Sequence, residues 1–203
     1  TLNGDKFFTG VTAVSEGGTN NDVKEITVSG SGSLDIDITT SNAAAFGIMG
    51  SAVTIDGGAE IGVTVNGTST NEILSYIGVM GYSSVALKGN STVTATVSDK
   101  EGINVAIMSA GTVTIENADV TASGYAGIMS SAGDISITGE STVKATGTGY
   151  AIATWQDKDI TWEDNKKTII STLVAFALLQ AVCYVLLGER ILYKSYPFII
   201  HIP

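Results

Sequence analysis

The stretch from Ile107 to Met129, IMSAGTVTIENADVTASGYAGIM, begins and ends on the same pair, a β-branched residue followed by methionine. All four methionines of the chain stand in that position: Met49 after Ile48, Met80 after Val79, Met108 after Ile107 and Met129 after Ile128. Ile152 and Ala153 close the series. One unit is therefore repeated along the chain, and a repeat of a few tens of residues is the sequence signature of a coiled stack of similar turns.

Inside the quoted stretch lie two further apolar stations, at Val113 and Val120. Outward along the chain the first becomes Ile26, Val53, Val85, Val113 and Ile135, and the second Leu34, Ile61, Val93, Val120 and Val143. The step between them is 8, 8, 8, 7 and 8 residues. The third station is the one before each methionine, reached after a connection of variable length. Each turn thus has two fixed sides and one loop that tolerates insertion. Insertions in a solenoid gather on one face, often the binding face.

Each station reads as a strand. Val93-Thr94-Ala95-Thr96-Val97 alternates apolar and polar, as does Val113-Thr114-Ile115, with Gly, Asn, Asp and Ser at the boundaries. Gly57, Gly58, Gly89 and Gly139 mark the corners, where a positive φ is often required. Three short strands per turn of 21 to 32 residues, without a helical period, predict an all-β solenoid. Its expected form is a right-handed parallel β-helix of about five turns over 26–154, the hand following the bias of parallel crossovers. Ladders of Ile, Val, Leu and Ala fill its interior, and ladders such as Thr27, Thr54, Thr114 and Ser136 cover its outside. Residues 1–25, with Phe7 and Phe8, cap the first turn or form an incomplete one.

The composition changes after the last turn. Residues 155–167 form a polar linker, and Thr168–Gly188 then runs 21 residues without a charge. That length matches the roughly 20 residues of a transmembrane helix. Trp155 and Trp162 before it and Tyr193 and Tyr196 after it suit interfacial anchors. The competing reading is a buried helix that caps the solenoid. Lys166 and Lys167 on one side balance Arg190 and Lys194 on the other, so flanking charge leaves the orientation open. Residues 189–203 form a tail that ends in a second apolar start, and Thr1 opens the chain without a signal peptide; both ends are expected to be cut.

Charge and missing residue types narrow the chemistry. Of 20 acidic residues only Glu189 lies past 167, which leaves 19 against 8 lysines before that point. The single Arg, His and Cys are Arg190, His201 and Cys183. An acidic rod does not meet phosphate backbones, so nucleic acid is excluded as a partner. Without His or Cys, the rod has no Ser-His-Asp or Cys-His constellation and no zinc site of the usual ligands. No catalytic residue, metal ligand or cofactor is assigned. Asp35 and Asp37 are the nearest approach to a carboxylate pair, for Ca²⁺ or glycoside chemistry, but two solvated carboxylates on an exposed face account for them. Asp99 and Glu101 read as a polar loop tip. Asn66-Gly67-Thr68 and Asn90-Ser91-Thr92 match a glycosylation acceptor pattern that is common by chance in a Thr- and Ser-rich chain.

Two sets of side chains are candidates for a ligand surface. Tyr76 and Tyr125 each precede the third station by three residues, and Tyr82 and Tyr150 lie near corners. Tyrosine rings stack on the apolar face of a sugar, but they equally seal the side of a rod. Met49, Met80, Met108 and Met129 form an exposed partner stripe if strict alternation turns them outward beside Gly47, Gly78, Ala106 and Gly127; a bend would turn them into the core instead.

The stretch Tyr125-Ala-Gly-Ile-Met-Ser-Ser-Ala-Gly-Asp-Ile-Ser-Ile-Thr-Gly139 resembles the repeat of Gly/Thr-rich β-helical domains on surface proteins of Gram-positive gut bacteria, over about residues 24–154. Such domains are often labelled carbohydrate-binding, which implies a glycan ligand, although fold alone does not establish function. Leu187-Gly-Glu-Arg190 and Tyr196-Pro-Phe-Ile-Ile-His-Ile-Pro203 are similar to the membrane region of GHKL-type sensor histidine kinases, but the ATP-binding domain and phosphoacceptor histidine are absent. The resulting expectation is a non-catalytic surface module, or adhesin, with its β-helix outside the cell and residues 168–188 in the cell membrane. It would contact glycans or a surface protein. The alternatives are an extracellular sensor domain and a β-helical polysaccharide-degrading enzyme.

Overall fold

The computed structural model describes residues 7–13, 23–41, 43–68, 75–98, 103–155 and 158–162. They all belong to one compact unit, Thr1–Ile170. The expected membrane segment 168–188 and the tail 189–203 lie outside the described residues, as do Asp99 and Glu101. Among the described residues no helix is long and apolar enough to cross a membrane.

The described chain is all β. Its strands are β1 (Phe7–Thr12), β2 (Ile26–Ser29), β3 (Ser33–Thr40), β4 (Ala44–Asp56), β5 (Glu60–Gly67), β6 (Ser75–Lys88), β7 (Thr92–Ser98), β8 (Ile103–Ser109), β9 (Thr112–Glu116), β10 (Asp119–Ser130), β11 (Ile135–Thr138), β12 (Thr142–Thr154) and β13 (Ile160–Trp162). Every pairing among them is parallel, and each joins equivalent positions of successive turns. The arrangement is that of a solenoid with an open parallel sheet.

The three stations become three sides. On the first, Ile26, Val53, Val85, Val113, Ile135 and Ile160 are stacked in register, with Val28, Ile55, Leu87, Ile115, Ile137 and Trp162 two residues on. On the second stand Leu34, Ile61, Val93, Val120 and Val143. On the third stand Val11, Ile48, Val79, Ile107, Ile128 and Ile152. These columns meet in one interior cluster. A single turn cannot bury its own apolar face, so each layer depends on its neighbours.

The stack is longer than the sequence repeat at both ends. β1 adds a third-side layer before the first full turn, within the segment read as a cap or an incomplete turn. β13 pairs with β11 inside the segment read as a polar linker. The reason is local: Ile160-Thr161-Trp162 keeps the apolar-polar alternation and falls in register with Ile135-Ser136-Ile137, but three residues among charges give little sequence signal.

The corner between the first and second sides turns on left-handed backbone. Gly57, Gly89, Asn117 and Gly139 have φ of 71°, 65°, 50° and 63°. Asn is the non-glycine residue that best tolerates this region. Asn117 also accepts a hydrogen bond at Oδ1 from the Glu140 N–H, 3.0 Å away in the next layer.

Candidate functional site

The methionine row settles into neither sequence reading. Ile48 belongs to the interior cluster, whereas Met49 next to it belongs to a separate one with Ile77, Met80, Val23, Phe46 and Met108. Met108 also joins a third cluster with Val105, Ala126, Met129 and Ala153. Alternation therefore holds at this pair, and the row faces away from the interior. Its members are nonetheless covered: Met49 is 2% exposed, Met80 and Met129 are buried, and Met108 is half-buried. They are not an exposed stripe. The glycine column behaves differently from the expectation of an outward face. A Cβ at Gly47 would meet the Val63 side chain, and one at Gly78 or Gly127 would meet Ala95 or Ala145, all on the second side. Gly47 and Ile48 both face inward, so the strand bends there.

The four tyrosines separate into three environments. Tyr76 is fully buried and packs in the interior cluster, so it offers no surface to a ligand. Tyr82 is exposed beyond the methionine row, with its hydroxyl 3.9 Å from Met49 Sδ. Tyr125 and Tyr150 are 47% and 53% exposed and form an edge-to-face pair, with ring centroids 5.8 Å apart and planes at 85°. The register explains their meeting. Ala126 pairs with Tyr150, so Tyr125 of one layer lies against Gly149 of the next. A Cβ at Gly149 would sit 2.5 Å from the Tyr125 ring, so glycine is what lets that ring lie over the neighbouring backbone.

A hydroxyl row leads to this pair along the second side. Thr64, Thr96, Ser123 and Thr146 are stacked in register on its outer face, half-buried, with Asp37 at the start of the row. Beside it Ser98 Oγ donates to Asn66 Oδ1 at 2.6 Å. Tyr125 follows Ser123 by two residues on β10, and Tyr150 follows Thr146 by four on β12. The surface is a shallow strip of hydroxyls that ends on two aromatic rings, suited to binding a hydroxylated chain and without a nucleophile–base pair.

Asn104 escaped the sequence reading. It stands in register between Tyr76 and Tyr125, is 5% exposed, and its Oδ1 has no hydrogen-bond partner among the described residues. Its equivalence to two tyrosine positions was the available signal. Asp35 and Asp37 lie on β3, exposed and on one face. Among the described residues no group of three or more His, Cys, Asp or Glu is placed to hold a metal ion.

No protein-family model, curated protein or solved structure matches this chain.

Proposed function

We propose that this chain is a right-handed parallel β-helix held at the cell membrane by a transmembrane helix over 168–188, with its rod outside the cell, and that it binds a glycan or another surface macromolecule without transforming it. The observation that carries this reading is the exposed Tyr125–Tyr150 pair at the end of the Thr64–Thr96–Ser123–Thr146 row. A sugar ring presents an apolar face to an aromatic ring and hydroxyls to neighbouring polar groups, and this strip supplies both. Hydroxyls repeated at the inter-strand spacing of about 4.8 Å suit an extended ligand bound weakly at several places. Absence of His and Cys before residue 168 leaves the rod without a Ser-His or Cys-His set, and its nearest carboxylate pair, Asp35 and Asp37, lies exposed on one face of β3, which favours binding over cleavage.

The test is binding of the full chain, in lipid nanodiscs, to a broad polysaccharide and glycan panel with and without Ca²⁺, followed by product analysis. Saturable binding without new products is expected. Tyr125→Ala and Tyr150→Ala should each weaken it by roughly 0.5–1.5 kcal/mol, the scale of an aromatic contact. Thr114→Ala, on the first side, should leave it unchanged. Binding indifferent to both tyrosine variants would remove the pair from the site, and cleavage products would replace this reading with that of a polysaccharide-degrading enzyme.

A further inference from the structure

Both tryptophans of the chain stand on its last described layer. Trp155 follows β12 and donates its backbone N–H to the Ser130 carbonyl at 3.0 Å. Trp162 ends β13, in register with Ile137. It is the last member of the column Val28, Ile55, Leu87, Ile115 and Ile137, whose other members are aliphatic. From Ile55 to Ile137 this column is fully buried, yet Trp162 is 45% exposed and Trp155 is 54% exposed. Among the described residues no strand lies beyond β13, so no described strand covers Trp162 on that side.

Two exposed indoles on one layer, beside the chain that leads to an uncharged run, are matched by an environment that is apolar on one side and wet on the other. Tryptophan N–H groups and rings satisfy both at the headgroup level of a bilayer. The sequence continues from Trp162 through Glu163, Asp164, Asn165, Lys166 and Lys167 into the uncharged run that begins at Thr168. Even fully extended, the chain from Trp162 to Thr168 spans only about 20 Å, at roughly 3.3–3.6 Å per residue. The acidic excess of the rod disfavours anionic lipid, so the matching surface is zwitterionic.

We infer that the last layer of the solenoid, through Trp155 and Trp162, seats in the headgroup region of a zwitterionic bilayer, so that the rod stands end-on. This inference rests on the membrane-anchored reading above. Because the chain has only two tryptophans, its tryptophan emission, excited selectively over its seven tyrosines, reports on this layer alone.

The experiment reconstitutes the full chain into phosphatidylcholine vesicles, some carrying lipids brominated near the headgroup and others brominated near the chain end. Flotation and resistance to alkaline extraction are measured on the same samples. The expected result is a blue-shifted emission that loses more than half its intensity to shallow bromines, less to deep ones, and is shielded from aqueous iodide. Trp155→Phe and Trp162→Phe should each leave a remaining signal quenched in the same way. Stable insertion with both indoles open to iodide and untouched by bromines would overturn the end-on seating and leave the anchor intact. Failure to float, or release at alkaline pH, would overturn the anchor and the seating together.

Discussion

Ile128 and Thr114 mark the two faces of the stack. Ile128 is fully buried in the interior cluster, whereas Thr114 lies half-buried in the outer hydroxyl ladder of the first side. Truncating a buried aliphatic leaves a cavity as well as lost transfer energy, so Ile128→Ala should cost about 2–5 kcal/mol. Thr114→Ala should stay within about 0.5 kcal/mol. Denaturant melts of the two variants check this, and equal losses would show that the inward register is wrong. Gly149 makes a sharper residue-scale case. A methyl there would sit 2.5 Å from the Tyr125 ring, so Gly149→Ala must move the ring or the backbone beneath it. The expected outcome is loss of the Tyr125–Tyr150 edge contact, worth about 0.5–1.5 kcal/mol, seen as altered ring-current shifts in the aromatic NMR spectrum. Unchanged tyrosine resonances would mean that the ring does not rest on Gly149.

At the scale of the element, the strands are ordinary and the corners are demanding. Parallel strands of Val, Ile and Thr need only alternation to stack, but the first-to-second corner needs positive φ in layer after layer. Asn117 meets that need without being glycine, and its side chain also holds the next layer through the Glu140 N–H. Asn117→Val should therefore lose about 1–2 kcal/mol to backbone strain, and roughly 0.5–1.5 kcal/mol more for the lost hydrogen bond. Asn117→Gly should lose only the second part. Thermal melts that rank valine as no worse than glycine would contradict the left-handed backbone at this corner.

For the whole solenoid, stability is a sum over layers and their interfaces. The end layers, β1 to β3 on one side and β12 with β13 on the other, have a described neighbour on one face only. Hydrogen exchange should therefore be slowest in β6 to β10 and quicken toward β1 and β13, since opening free energy scales with the contacts a layer shares. Protection that is equal from β1 to β13 would mean that the rod opens as one cooperative block. A bilayer against the last layer would slow exchange at β13 relative to β1, and detergent would remove that asymmetry.

The repeat, its three stations and the parallel stacking of their side chains follow from the chain alone, because a ladder of like residues reports its own register. Val53, Val85 and Val113 are neighbours in space for the same reason that they are equivalent in sequence. What a row does once it leaves the interior was decided only in three dimensions. Tyr76 and Tyr125 share a repeat position, yet one is buried in the core and the other is exposed beside Tyr150. The glycine before Ile48 faces inward and the methionine after it joins a covered second cluster. Such outcomes depend on bends, on the layer above and on what lies over each side. Periodicity fixes which residues align, whereas burial depends on the packing around the aligned row.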